Sequence, residues 1–308
     1  MSTVAVTRRL PGAALTRLAA EHEVVVWPGD LPPAPMELWA LTAGADALLC
    51  LLTDRIDADL LAAAPHLRAV ANYAVGFDNI DVDAVRARGI AVGVTPDVLT
   101  DATADLTLAL LLSAARGLPQ AAAAVRTGAW RTWEPRRWLG LELRGATLAL
   151  VGGRGRIGRA VAERAAAFGM NVECIGRDDD LRAALARADV VSLHCPLTAE
   201  TARIIDADAL ATMRPGSVLV NTARGGLVDQ VALRAALERG HLAAAALDVT
   251  DPEPLPPDDP LLSAPNLLVL PHIGSATHRA RERMADIAVD NLLAALRGAP
   301  MPHPAPGL

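Results

Sequence analysis

Short, uninterrupted apolar runs recur along the chain, separated by stretches with the three-to-four-residue apolar return of amphipathic helices. "TVAV", "EVVVW", "ALLCLL", "LRAVANY" and "IAVGV" form one series before residue 95. "TLALVG", "NVECIG", "VVSLHC", "SVLVNT", "AAALDV" and "LLVLPH" form a second. Runs of this length without polar alternation read as strands buried on both faces, and helices between them predict parallel sheets. Two series predict two α/β domains. The boundary falls near "VTPDVLTDATADLTLALLLSAAR", where Pro96 ends the first series and Thr100 or Asp101 can cap a long apolar helix. A final helix, about Ser275 to Arg297, follows the second sheet and is expected to return to the first domain. The expected domains are therefore 1–97 plus about 276–308, and 98–275, with an active cleft between them.

A chain of 308 residues suits two domains, and 52% hydrophobic with 21% charged residues describes a globular protein. A net charge of −6 without a basic block argues against nucleic acid or an anionic membrane as partner. Cys50, Cys174 and Cys195 lie in apolar runs and form no C-x-x-C pair, so they read as buried thiols in a reducing cytoplasm, with no metal site. The N-terminus "MSTVAVTRRL" lacks an apolar signal region, and no stretch has the length and composition of a membrane span.

"TLALVGGRGRIGRAVAERAAAFG" places Gly153, Gly155, Arg156, Ile157 and Gly158 in a G-x-G-x-x-G turn between a strand and a helix. A bare match is weak, but this context makes it specific for a dinucleotide pyrophosphate. The glycines permit close backbone approach, and the helix N-terminus supplies N–H groups and a favourable dipole. A turn that only packs helix on strand is the minor alternative. The fold class is thus two Rossmann-like or flavodoxin-like α/β domains with parallel sheets.

Three chemically apt residues each follow a strand of the second series. Arg224 comes after "SVLVNT", Glu253 after "AAALDV" and His272 after "LLVL". Parallel strands share a C-terminal edge, so the three can converge. Prolines on both sides of Glu253 restrict its loop. An arginine grips a carboxylate at two points, a histidine exchanges a proton near neutral pH, and a glutamate orients the ring and favours its protonated form. Beside a nicotinamide these groups reduce a 2-keto acid. Taken singly, each reads as a loop charge or surface ion pair, and a lone His such as His194 in "VVSLHCPL" reads as structural. The trio together favours chemistry.

These residues, with "NYAVGFDNIDV", "GVTPDVLTDATADLTLALLL", "VSLHCPLT", "VNTARGGLVD", "LDVTDPEPLP" and "PHIGSATHRARERMA", resemble the D-isomer-specific 2-hydroxyacid dehydrogenases over nearly the whole chain. "DVTDPEPLP" and "HIGSATHR" point to the glyoxylate/hydroxypyruvate reductase branch. The resemblance implies Arg224, Glu253 and His272 as the catalytic set. It implies that backbone N–H groups of Val75 and Gly76 bind the substrate carboxylate, where the alternative is an ordinary strand-to-helix turn. It also implies that Thr222, Ala223, Arg224 and Asp248 lie near the nicotinamide. Two subunits are expected to pair through their coenzyme domains, with Trp138 reaching the neighbour's substrate pocket.

Two features depart from the pattern. Arg154 stands where relatives carry an apolar residue, and only "DDDLRAALARAD" separates "NVECIGR" from the next strand. An acidic residue at the end of the second strand normally reads the ribose of NAD. Here Gly176 leaves room for a 2′-phosphate and Arg177 can bind it, as in the resembling NADPH-preferring reductases, while Asp178, Asp179 and Asp180 oppose it if they face it. The expectation is NADP(H) preferred, with NAD(H) the alternative. Two rival functions use the same residues: related chemistry on 3-phosphoglycerate or a bulkier 2-keto acid, and a nicotinamide-sensing corepressor-like binding protein.

Overall fold

The computed structural model describes residues 1–308, in two compact units: Met1–Leu99 with Ala276–Leu308, and Thr100–Ser275. The first unit carries β1 (Thr3–Val6), β2 (Glu23–Val26), β3 (Ala47–Cys50), β4 (Ala69–Asn72) and β5 (Ala91–Gly93) in one sheet of order β2-β1-β3-β4-β5. All pairings are parallel. Strands β3 and β4 are wholly buried, which explains why they read as continuous apolar runs. One face packs Leu60, Leu61, Val85 and Ile90. The other packs Leu18 and the apolar stripe Met284, Ala288 and Leu292 of the helix His278–Leu296. That helix is capped by Thr277, whose hydroxyl accepts from the Ala280 N–H at 3.1 Å.

The second unit carries β6 (Thr147–Val151), β7 (Asn171–Ile175), β8 (Val190–Leu193), β9 (Ser217–Asn221), β10 (Leu242–Leu247) and β11 (Leu267–Val269). The order is β11-β10-β9-β8-β6-β7, again all parallel. The chain moves outward from β6 to β7 and then crosses to β8 on the other side of β6. That reversal opens a crevice at the carboxyl ends of β6 and β8, the standard place for a ligand in such sheets. Apolar side chains cover both faces.

The long helix Thr100–Ala115 begins at Thr100 itself, so Thr100 and Asp101 lie inside its first turn rather than before it, and Asp101 pairs with Arg164 at 2.9 Å. The cysteines are all free, but only Cys50 is fully buried; Cys174 and Cys195, near strand ends, are half-buried. No single helix is long and apolar enough to cross a membrane.

Candidate active site

The residues of interest in the second unit leave its sheet at one edge. Asn221, Leu247 and Val269 stand in register across β9, β10 and β11. Arg224 lies three residues past the first, Glu253 six past the second and His272 three past the third. Two strand spacings of about 4.8 Å therefore separate the outer two exits, about 10 Å in all.

Glu253 and His272 meet directly: His272 Nδ1 lies 2.5 Å from Glu253 Oε1, both side chains being mostly covered. A carboxylate accepts, so Nδ1 carries the hydrogen in this pair, and the tautomer leaves Nε2 as the working nitrogen. The histidine loop is anchored from β10. The His272 N–H donates to the Asp248 carbonyl at 2.9 Å. The Asp248 carboxylate accepts from the N–H groups of Ile273 and Gly274, both at 2.8 Å. Burial pushes the Asp248 carboxyl above its ordinary value, against the pull of those two N–H donors and of His272. Asp248, expected beside the nicotinamide, thus has a structural task as well.

The arginine turn is fixed by a residue the sequence reading passed over. Asn221 accepts from the Ala223 N–H at 3.0 Å and donates to the Arg224 carbonyl at 2.8 Å, folding the chain just past β9. The Arg224 guanidinium donates to the Ala223 carbonyl at 2.8 Å. Thr222 is buried, its hydroxyl 2.9 Å from that of Thr107. Gln230 was also missed; it clamps the glutamate loop by donating to the Asp251 carbonyl at 2.6 Å and accepting from the Asp251 N–H at 2.9 Å. Asn221 left a signal, a buried polar residue ending an apolar run. Gln230, on a half-exposed helix start, left none.

The glycine turn follows β6 at the crevice. The helix Arg156–Ala167 has Gly155 at its N-cap, and no side chain caps it. A Cβ at Gly158 would stand 2.6 Å from the Gly153 Cα, so helix and turn approach as only glycine allows. This uncapped helix start beside a glycine cradle fits a pyrophosphate. Beyond β7, Asp180 caps the next helix through the Ala183 N–H at 3.0 Å. Asp179 turns back to accept from the Gly176 N–H and the Arg154 guanidinium, each at 2.7 Å. Those donors, the Gly176 N–H first, hold its carboxyl below the ordinary value. Arg177 is exposed.

Val75 and Gly76 belong to the first unit, in the loop after β4. Asn72 donates to the Gly76 carbonyl at 2.8 Å and to Asn79 at 3.1 Å, and Asn79 donates to the Leu51 and Asp54 carbonyls. Trp138 lies at the other edge of the second sheet. With Arg116, Gln120, Gly216, Ala243 and Asn266 it lines a groove of about 430 Å³. Gly216, Ala243 and Asn266 stand at the amino ends of β9, β10 and β11, a strand length from the histidine of the same chain. His194 has a structural partner, its Nε2 lying 2.9 Å from the Ser192 hydroxyl.

Residues 108–274 match the family model of the D-isomer specific 2-hydroxyacid dehydrogenase NAD binding domain. A glyoxylate reductase of Korarchaeum cryptofilum is 46% identical over 309 residues, spanning 96% of this chain and 93% of its own. The crystal structure of the Thermus thermophilus TT0316 protein superposes with a TM-score of 0.93 at 52% identity, covering 98% of this chain and 99% of that one. A Sinorhizobium meliloti NADPH-dependent glyoxylate/hydroxypyruvate reductase, in complex with NADP and malonate, superposes at 0.86 with 35% identity, covering 99% and 97%. Two parallel α/β units, a glycine cradle at the crevice and a Glu–His pair on the same sheet edge accord with these matches, and the chain belongs to the D-isomer specific 2-hydroxyacid dehydrogenases, a family of NAD(P)-dependent oxidoreductases.

Proposed function

We propose that this chain reduces a small 2-keto acid, glyoxylate or hydroxypyruvate, to its 2-hydroxy acid. The observation that carries the reading is the 2.5 Å Glu253–His272 pair on the sheet edge that also bears the glycine turn. When bound, a reduced nicotinamide supplies the hydride that adds to carbon 2. His272 gives the proton from Nε2 to the carbonyl oxygen, so one hydride and one proton turn the carbonyl into a hydroxyl. Glu253 fixes the ring's tautomer and direction. Arg224 grips the carboxylate and polarises the carbonyl, a task suited to its planar, permanently charged fork. Gly153, Gly155, Arg156, Ile157 and Gly158 hold the pyrophosphate, and Thr222, Ala223 and Asp248 border the nicotinamide. Val75 and Gly76 of the substrate-binding unit meet the substrate carboxylate through their N–H groups.

NADP(H) is the preferred coenzyme in this reading. The exposed Arg177, the Arg154 guanidinium seated where a side chain at Gly176 would lie, and the NADP bound to the Sinorhizobium relative support it. The enzyme works in the cytoplasm as a homodimer. Leu118, Val125, Trp130, Trp133 and Leu139 expose a run of apolar side chains on the second unit, which favours a covering partner. Because Trp138 stands at the edge opposite its own histidine, any part it takes in substrate choice is played in a second copy. Neither rival function gains a specific observation.

Oxidation of NADPH and NADH with glyoxylate, hydroxypyruvate and pyruvate tests the reading, with His272→Asn as the control. The variant should bind coenzyme as the wild type does and lose about 100-fold or more in kcat. A variant of near-normal turnover removes His272 from the mechanism.

A further inference from the structure

The strand end that reads the adenosine ribose carries an arrangement made by this chain's own side chains. In a dinucleotide fold of this type, the residue ending the second strand projects a carboxylate toward the ribose hydroxyls. At that position a Cβ on Gly176 would stand 2.7 Å from Arg154 Nη1. The guanidinium, reaching over from the glycine turn, fills the space a side chain there would take. The carboxylate comes instead from three residues further on, where Asp179 accepts from both the Gly176 N–H and Arg154. Asp180 is engaged as a helix cap and does not compete for the place.

We infer that Arg154 and Asp179 act as an opposed pair that sets the choice between NADP(H) and NAD(H), with Asp179 the element that restrains binding of a 2′-phosphate. The inference rests on the coenzyme reading above. A 2′-hydroxyl can donate to the Asp179 carboxylate while the ion pair stays closed. A 2′-phosphate is an acceptor carrying negative charge; it must draw the Arg154 guanidinium away from Asp179 and then lie beside the carboxylate left behind. Arg154 therefore favours the phosphate, Asp179 opposes it, and each limits the other. Both side chains are substantially solvent-exposed, so the energies are those of screened charges and the effects are several-fold rather than thousand-fold.

The test measures dissociation constants of NADPH and NADH for the protein without keto acid, by quenching of tryptophan fluorescence. Asp179→Asn keeps an oxygen for the Gly176 N–H and removes the charge. It should raise the ratio of NADH to NADPH dissociation constants by about five-fold, close to 1 kcal/mol. Arg154→Ala should lower the ratio by a similar factor. In the Arg154→Ala background, Asp179→Asn should have a smaller effect on the ratio, because no guanidinium remains to be released. These shifts should persist in Arg177→Ala. An unchanged ratio in Asp179→Asn, or additive effects in the double variant, overturns the pair. A wild type that prefers NADH while Asp179→Asn shifts the ratio as stated refutes the NADP(H) preference and upholds the pair. Failure of the wild type to bind either coenzyme overturns both.

Discussion

His272 holds a left-handed backbone with φ of +55°, which costs a residue with a Cβ about 1–2 kcal/mol. Three hydrogen bonds to Asp248, just past β10, hold it there: the Asp248 carbonyl takes its N–H, and the Asp248 carboxylate takes the next two. Asp248→Asn tests this. The amide has one acceptor oxygen, and its NH2 must face either the Ile273 or the Gly274 N–H, leaving one buried donor unpaired at about 1–3 kcal/mol. The expected result is a lower Tm, together with a kcat reduced at least ten-fold. An unchanged Tm would show that the carboxylate does not anchor the loop. Arg224, Glu253 and His272 stood out in the sequence because each charged or titratable residue followed an apolar run. The devices that aim them were less legible. Asp248 was implied only by resemblance, and hydrogen bonds that its carboxylate accepts from N–H groups 25 and 26 positions later leave no periodic trace.

Every strand was legible as an element: the central ones because burial on both faces removes polar alternation, and the less buried β2, β7 and β11 because each still carries a short apolar run. Strand order is a different kind of fact. Nothing local in "VVSLHC" says that β8 crosses back beside β6; it follows from right-handed crossovers and from which helices cover which face. The close approach of two loops at the sheet edge was likewise beyond reach. A Cβ on Gly225 would collide with the backbone carbonyl of Thr250, so the arginine turn after β9 lies against the loop that leads from β10 to Glu253. Gly225→Ala should therefore push two site-bearing loops apart. Overpacking of about 1–3 kcal/mol predicts a Tm lower by about 2–8 °C. Turnover should fall further than that loss of stability explains, since Arg224 and Glu253 move relative to each other. Calorimetry and steady-state kinetics on one preparation check both; wild-type kinetics in a destabilised variant would mean that the loops relax without disturbing the site.

At the scale of the molecule, the two-unit division was legible from the two strand series and the trailing helix, whereas the exposed apolar surface of the second unit was not. Trp133 and Leu139 are each 79% exposed and Trp130 is 58% exposed, all within one segment beside the groove lined by Trp138. Sedimentation at micromolar concentration should give a dimer, and Trp130→Ser with Trp133→Ser should shift it toward monomer; a wild type that sediments as a monomer refutes the assembly. Acid stability is also a property of the whole molecule, and His194 gives it a defined window. Burial lowers its pKa from 6.5 to about 4. Between those values the unfolded chain takes up a proton that the folded chain refuses, so the unfolded state binds more protons and stability falls as pH drops. This contribution causes no loss above pH about 6.5 and reaches its full cost near pH 4, on the order of 1–3 kcal/mol. His194→Asn keeps a partner for the Ser192 hydroxyl and cannot titrate. The variant should be somewhat less stable than the wild type at pH 7, and its Tm should fall less between pH 7 and pH 5, by about 2–4 °C. Carboxylates titrate in both proteins, so the difference between the two slopes isolates the imidazole. Parallel slopes would mean that His194 takes up its proton in the folded state as readily as in the unfolded chain.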